Sequence, residues 1–316
     1  MPGVQRVTNL SAETFMSDYL IMNRPVIVTD AMDHWAARRL WTPAYFSDRF
    51  GESEVQVYDD LFTLEDITTL QSYLERNFEQ PPGVESSTYV RWYAKFKDVD
   101  FCWSDHAFDA LSGDWASPYF LPRSSYCLPY VCPPVTARVE KDSFPFKGLF
   151  ISGRGARTRL HRDPIGTQAI LCQCFGEKSI RFYPPARAGQ PCAAGPDAEP
   201  AGGWHPVAED VLRPGDLIFI PDGWYHDVTT LSDSISITWN FVHGARAEGL
   251  FDALRAAVPD EVGLDVVRYF LTDHLTPGAG IAEMLTLLQA ATRSVGSSPG
   301  LRSATIAERR VGQAHA

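Results

Sequence analysis

No stretch of this sequence approaches the ~20 consecutive apolar residues that a membrane-crossing helix requires. Cysteine is sparse, with six residues in a chain of 316, and the closest pair, Cys172 and Cys174, is separated by a single residue. That density cannot staple a fold, and C-x-C is not zinc-ribbon spacing, so reduced thiols are expected. The opening residues, Met1 to Asn9, lack the basic-then-apolar layout of a secretory signal. Together these features predict a cytoplasmic protein without a membrane partner. Positive charge is also scarce: 28 Lys and Arg stand against 39 Asp and Glu, a net charge of −11. A nucleic-acid-coating surface needs clustered cations, so nucleic acid is not an expected partner. No internal repeat is present. What the chain does have is 45% hydrophobic residues, enough for one or two domains with a substantial core.

Local patterns give a coarse architecture. Ser11 is placed to N-cap a first helix, and Val26-Ile27-Val28 reads as a short β-branched strand. Glu54–Tyr58 alternates as a half-buried strand should. Thr63-Leu-Glu-Asp66 has capping-box character, and Leu64, Ile67, Leu70, Leu74 and Phe78 follow at helical spacing, which predicts one helix from there to Pro81. Thr88–Tyr93 is another expected strand. Residues 98–145 show no clear period. From Lys147 to His243 strand signals crowd together, with Gly176-Glu177 expected to close a tight hairpin and Ala188–Gly203 expected to be a surface loop. After His243 the spacing changes to about three amphipathic helices, followed by a loose tail from residue 293 with room for one short helix near Ala304–Arg310. The expected fold is mainly β with helical flanks: a sandwich or barrel core, N-terminal α/β elements and a C-terminal helical region.

The segment richest in chemistry is His161-Arg-Asp163. Side chains two apart on a strand share a face, so an imidazole and a carboxylate would project together into a barrel interior. With a second imidazole they form the facial triad of non-haem iron(II) oxygenases. His226, presented by Pro221-Asp-Gly-Trp-Tyr and opening a strand that could run beside that of His161, is the candidate. His-Arg-Asp also occurs in kinase catalytic loops, but the downstream Asn, the D-F-G and the glycine-rich phosphate loop are missing. Lys178 opens a strand of a mostly apolar barrel. A buried ammonium there needs an anionic partner; the alternative is a solvated lysine at a turn.

These residues, with Arg181-Phe-Tyr-Pro-Pro, Pro214-Gly-Asp and Ile235-Ser-Ile-Thr238-Trp-Asn240-Phe, resemble the Jumonji-C, cupin-like oxygenases that use iron(II) and 2-oxoglutarate. The branch resembled is that of the protein hydroxylases, over roughly residues 20–245, with Arg24-Pro-Val-Ile-Val-Thr-Asp and the nearby Trp35 and Trp41 like its N-terminal entry. The resemblance implies a double-stranded β-helix (jelly-roll) core at about 147–243 in a catalytic domain of residues 1–243. It further implies a dimerising helical region at 244–292, and hence a homodimer. By the same resemblance His161, Asp163 and His226 hold the iron, and Lys178, Thr158 and Tyr89 bind the 2-oxoglutarate carboxylate. Thr238 and Asn240 stand beside the cosubstrate. One departure is notable: Leu171 occupies the position, eight residues after Asp163, where the lysyl-hydroxylase branch has an asparagine, and Thr167 is the residue placed to compensate.

The expected substrate is an amino-acid side chain in a peptide, a protein or the free amino acid, with hydroxylation favoured and N-demethylation open. Arg154, Arg157 and Arg159 stand near the expected mouth, where an acidic group could be received; Asp105, Asp109 and Asp114 could attract a basic one. A non-catalytic cupin and a metal cupin of other chemistry are the competing classes; Lys178 and Thr158 would be idle in both.

Overall fold

The computed structural model describes residues 1–93, 102–132, 135–136, 148–185, 205–257 and 262–295. Fourteen strands are formed among them: β1 (Arg6–Val7), β2 (Val26–Val28), β3 (Glu54–Tyr58), β4 (Leu64–Thr69), β5 (Tyr89–Tyr93), β6 (Tyr126–Leu128), β7 (Gly148–Ser152), β8 (Arg157–His161), β9 (Gln168–Phe175), β10 (Lys178–Tyr183), β11 (Ala208–Leu212), β12 (Leu217–Ile220), β13 (Tyr225–Thr230) and β14 (Ser234–His243). They build two sheets. The larger runs β1-β2-β12-β9-β14-β7-β5-β3-β4, with β6 against the end of β14; the smaller runs β11-β10-β13-β8. All neighbours are antiparallel except β1 and β2. This is a jelly-roll core of the cupin kind, with the expected strands recovered from Gly148 to His243.

Alternation along the central strands divides the sheet's two faces. Cys172, Cys174, Ile235, Ile237 and Trp239 point to one apolar cluster, shared with the N-terminal helical segments through Phe15, Trp41 and Phe46. Ala169 and Leu171 face the smaller sheet, packing with Ile180, Phe182 and Val228. The cysteine pair is therefore core packing, and Cys127, Cys132, Cys172 and Cys174 are free thiols. The three expected C-terminal helices form at Glu248–Ala256, Val262–Leu271 and Ile281–Val295. Their apolar faces pack on one another and on Leu128 and Val242. No helix of the described residues is long and apolar enough to cross a membrane.

Two expectations are corrected. Residues 64–69 are an edge strand paired with β3, and the helix covers only Leu70–Asn77. The β-branched run Ile67-Thr68-Thr69 favours the extended state, and the helix starts where the Thr69 side chain accepts from the Ser72 amide at 3.2 Å. Gly176-Glu177 closes no hairpin either, because β9 and β10 belong to different sheets. The turn carries the chain across the core: Gly176 has φ +70°, and a Cβ there would lie 1.9 Å from the Asp233 carbonyl oxygen, so only glycine fits. Ser11 does cap the first helical turn, accepting from the Thr14 amide at 3.0 Å. Sequence did not single out β11. The expected loop at 188–203, most of the tail after 293 and the short helix at 304–310 fall outside the described residues.

Candidate metal and cosubstrate site

Between the two sheets lies a cavity of about 310 Å³, lined by His161, Asp163, His226, Lys178, Thr158, Thr238 and Asn240 together with apolar and arginine side chains. His161 ends β8 and His226 is the second residue of β13; the two are directly paired across the smaller sheet, with ring centroids 4.3 Å apart. Asp163 stands two residues past His161, just beyond the strand, and leads into the turn Pro164–Gly166. One ligand atom from each of the three lies within 4.8 Å of the others.

Backbone contacts fix these side chains. His161 Nδ1 lies 2.8 Å from the Arg159 carbonyl oxygen and His226 Nδ1 3.3 Å from that of Trp224. With Nδ1–H donating to a carbonyl, Nε2 keeps its lone pair, the usual arrangement of a metal-ligating imidazole. Burial pushes both imidazoles down to about 4, so both are neutral and able to ligate at neutral pH. The same burial raises the Asp163 carboxyl, opposed by His161, Asn240 and Arg91. Asp163 Oδ2 is buried with no hydrogen-bond donor. A buried carboxylate oxygen without a donor, facing two imidazole lone pairs, calls for a cation. The donor set of two nitrogens and one oxygen, on one side of an open cavity, suits iron(II).

The turn that presents His226 is clamped from afar. Asp222 pairs with Arg246 at 3.1 Å and accepts from Gln168 at 3.1 Å; its carbonyl accepts from Asn23, and Trp224 Nε1 donates to the Asn23 carbonyl at 2.9 Å. On the opposite side the Asp163 turn leans on the C-terminal helices. Gly166, at φ +65°, sits so close to Gly249 that an added Cβ would lie 2.6 Å from its carbonyl carbon.

Lys178 is only 4% exposed; its Nζ donates to Ser236 Oγ at 2.9 Å and stands 5.8 Å from the Phe150 ring centroid. No carboxylate among the described residues pairs with it, and burial pushes its amine down to about 7. Beside it, a small recess is walled by Thr158, Tyr89, Phe150 and Val228, and the buried Tyr89 hydroxyl has no hydrogen-bond partner. An ammonium, a hydroxyl and a phenol around one recess, with no carboxylate among the described residues to pair with the ammonium, suit an anionic group such as the distal carboxylate of 2-oxoglutarate.

The remaining sequence candidates separate. Asn240 lines the cavity, acts to lower the Asp163 carboxyl against the effect of its burial, and donates from Nδ2 to Thr167 Oγ1 at 3.1 Å. Thr167 does not line the cavity; its hydroxyl donates to the Pro164 carbonyl at 2.9 Å, so it acts through Asn240 on the Asp163 turn. Thr238 lines the cavity with its hydroxyl donating to the Ile170 carbonyl at 2.7 Å, and Leu171 lies opposite it in register. The three mouth arginines are engaged elsewhere: Arg154 donates to the carbonyls of Pro81 and Val84, Arg157 stands 3.8 Å from Asp227, and Arg159 pairs with Asp60 at 2.8 Å. Asp114 accepts from Trp41 and Tyr45 within the N-terminal core. The side chain of Asp105 lies outside the described residues. Sequence reasoning missed Arg91 and Arg162, which both line the cavity.

Comparisons with known proteins agree with this geometry. A cupin-like domain model matches residues 11–206, and a JmjC domain, hydroxylase model matches residues 201–241. Arginine-specific demethylase JMJ20 of Arabidopsis thaliana is 25% identical over 279 residues, covering 78% of this chain and 58% of the relative. The 2-oxoglutarate and iron-dependent oxygenase JMJD4 of Gallus gallus is 23% identical over 291 residues, covering 82% and 65%. The bifunctional arginine demethylase and lysyl-hydroxylase psr-1 of Caenorhabditis elegans is 23% identical over 266 residues, covering 76% and 61%. The chain thus spans about six tenths of the length of these relatives. With its jelly-roll core and a family match that spans residues 11–206, the chain belongs to the family of cupin-like domain proteins, and its two-histidine, one-aspartate cluster stands where a metal ion could be held.

Proposed function

We propose that this protein hydroxylates an amino-acid side chain, in a peptide, a protein or the free amino acid, as an iron(II)- and 2-oxoglutarate-dependent dioxygenase. The observation that carries the reading is the joint presence, in one cavity, of His161, Asp163 and His226 within ligand distance and of the buried Lys178, which donates to Ser236 and has no carboxylate partner among the described residues. A binding module needs neither, and a metal cupin of other chemistry has no use for the second.

Iron(II), when bound, supplies oxygen activation coupled to the decarboxylation of 2-oxoglutarate to succinate and carbon dioxide. The chain's own residues do the rest. His161, Asp163 and His226 would hold the metal from one side and leave the other open. Lys178, Thr158 and Tyr89 would fix the distal carboxylate, so that the cosubstrate has one orientation toward the metal. Leu171, Ile220, Val228 and Phe150 exclude water from the cavity. Asn240, held by Thr167, stands in the same cavity as Asp163 and favours its ionised form. Two relatives named as demethylases keep N-demethylation as a second outcome of the same oxygen insertion, when the carbon attacked is an N-methyl group.

The direct test is the anaerobic visible difference spectrum of the purified protein with iron(II) and 2-oxoglutarate. A charge-transfer band that is absent in Asp163→Ala and needs far more 2-oxoglutarate in Lys178→Ala is the expected result. No band in the wild type, with iron not retained, would leave a binding cupin.

A further inference from the structure

The larger sheet outruns the smaller one. β8 is the edge strand of the smaller sheet, whereas β5, β3 and β4 carry the larger sheet onward past β7. Cross-strand partners share a face. Tyr89, which walls the recess beside Lys178, pairs with Tyr58, and Tyr58 pairs with Leu64. The cavity face of the sheet therefore continues to Leu64, and in the next row through Gln56 to Ile67. Along it the Tyr58 hydroxyl donates to Gln56 Oε1 at 2.6 Å. Val55 and Val57 turn the other way, into the apolar cluster of the N-terminal helices. The smaller sheet reaches as far as the loop between β3 and β4, where the Arg159 amide donates to the Asp60 carbonyl at 2.9 Å and its guanidinium pairs with the Asp60 carboxylate at 2.8 Å. Beyond that loop no strand among the described residues pairs with the outer edge of β4, and Leu64 and Ile67 are 45% and 46% exposed.

Phe62 joins this shelf to the cavity. It precedes Leu64 by two residues, lines the cavity, and sets its ring centroid 5.3 Å from that of His161 and 6.4 Å from that of Tyr89. Its φ of +72° is costly for a bulky side chain. Asp59 Oδ1 holds the loop in that shape, accepting from the Leu61 and Thr63 amides at 2.8 Å each. The surroundings of the shelf are acidic: residues 52–85 hold nine Asp and Glu and one Arg, a net −8 of the chain's −11. Glu54, two before Gln56 on β3 and so on the same face, and Glu65 are exposed, with no ion-pair partner among the described residues.

Resting on the oxygenase reading, we propose that this shelf docks the substrate as an extended polypeptide, apolar and cationic in the residues beside its target side chain, which turns into the cavity at Phe62. A face that is apolar at two points and acidic around them suits a chain of opposite charge. The Ile67 amide donates to the Asp66 carboxylate at 2.8 Å, which blunts the strand edge, so the polypeptide lies on the face and is held by side chains. Leu64 lies two strand spacings from Tyr89, ~10 Å, or about three residues of extended chain. The shelf thus reads the sequence beside the target, which a free amino acid lacks. A second copy of this chain would bring the same negative surface and be repelled.

The test measures the anisotropy of fluorescein-labelled peptides of equal length, repeats of Lys-Leu-Ser, Glu-Leu-Ser or Lys-Ser-Ser, with the full chain in manganese(II) and 2-oxoglutarate without oxygen. Lys-Leu-Ser is expected to bind about tenfold tighter than Glu-Leu-Ser and about three- to tenfold tighter than Lys-Ser-Ser. Leu64→Ser with Ile67→Ser should erase the preference for leucine, and Glu54→Gln with Glu65→Gln should cut the preference for lysine. Neither pair should move 2-oxoglutarate affinity. Manganese(II) should also broaden the proton resonances of the bound peptide where zinc(II) does not, because the shelf opens on the metal position. Equal binding of the three peptides, or tightest binding of Glu-Leu-Ser, would overturn the proposal. So would no broadening, or an equal loss in Glu13→Gln with Asp273→Asn, exposed acids on the N-terminal and C-terminal segments. Self-association abolished by the Leu64 and Ile67 changes would give the shelf to a second copy instead. The charge-transfer band tests the oxygenase reading by itself: with no band, a peptide held on the shelf is a partner and not a substrate.

Discussion

Replacing Lys178 by methionine should strengthen the protein without 2-oxoglutarate and cripple it with 2-oxoglutarate. In the fold the amine is buried, donates to Ser236 and has no carboxylate partner among the described residues. Burial lowers it from an ordinary 10.5 to about 7. That difference corresponds to roughly 5 kcal/mol set against the charged form in the fold. The folded value lies below the unfolded one, so the penalty is full below pH ~7 and fades as pH rises toward 10.5. Methionine, of similar length and without charge, escapes it. Without 2-oxoglutarate, Lys178→Met should therefore melt above the wild type at pH 7, and the gap should close as pH is raised. With 2-oxoglutarate the sign reverses. Losing one partner of a buried charge pair costs on the order of 2–5 kcal/mol, about 30-fold to several thousand-fold in affinity. Wild-type affinity should itself fall as pH rises above ~7, where the free amine loses its proton. Thermal melts from pH 6.5 to 9.5, with manganese(II) and with or without 2-oxoglutarate, read both effects. A variant that melts below the wild type at pH 7 yet keeps its 2-oxoglutarate affinity would refute the reasoning and make Lys178 a structural residue.

Three further outcomes are expected. Tyr89→Phe removes a buried hydroxyl that has no partner, so apo stability should hold or rise while 2-oxoglutarate affinity drops about three- to tenfold, measured by calorimetry. Thr167→Val breaks the Asn240–Thr167–Pro164 chain and should weaken metal binding about 10- to 100-fold in a competitive chelator titration; an unchanged affinity would detach Thr167 from the site. Gly166→Ala forces a Cβ into Gly249 at positive φ and should cost ~1–3 kcal/mol in denaturant unfolding, with metal lost earlier than in the wild type.

The candidate ligand cluster was legible because its signal is local: His161 and Asp163 stand two residues apart, and a tight Pro-Asp-Gly-Trp turn announces His226; the strand itself ends at His161, so the turn and not a strand period places Asp163. Lys178 was legible because an ammonium opening an apolar strand demands an explanation. Arg91 was not, since within Thr-Tyr-Val-Arg-Trp it reads as an ordinary polar strand position. Only the pairing of β5 with β7, which sets it opposite Phe150, brings it inside. Residues 64–69 misled for the opposite reason. Leu64 and Ile67 fall at helical spacing, yet both are exposed on an edge strand, at 45% and 46%, so the periodicity carried no burial. The Gly176 turn looked like a hairpin because a Gly-Glu pair between two strand signals reads as a tight reversal; whether the two flanking strands share a sheet is decided by partners about 40 to 75 residues away in sequence.

Gly166 and Gly249 meet backbone to backbone, one in the turn behind Asp163 and the other in the first C-terminal helix. Two segments some eighty residues apart are thereby keyed to each other, like a peg and its socket. A side chain gained at one position must displace the other. A chain cut back to its β-core would keep all three metal-binding side chains and lose the surface that holds one of them still. The helices after His243 are in that sense a wall of the candidate metal centre, and substitutions among them should be read first in metal retention.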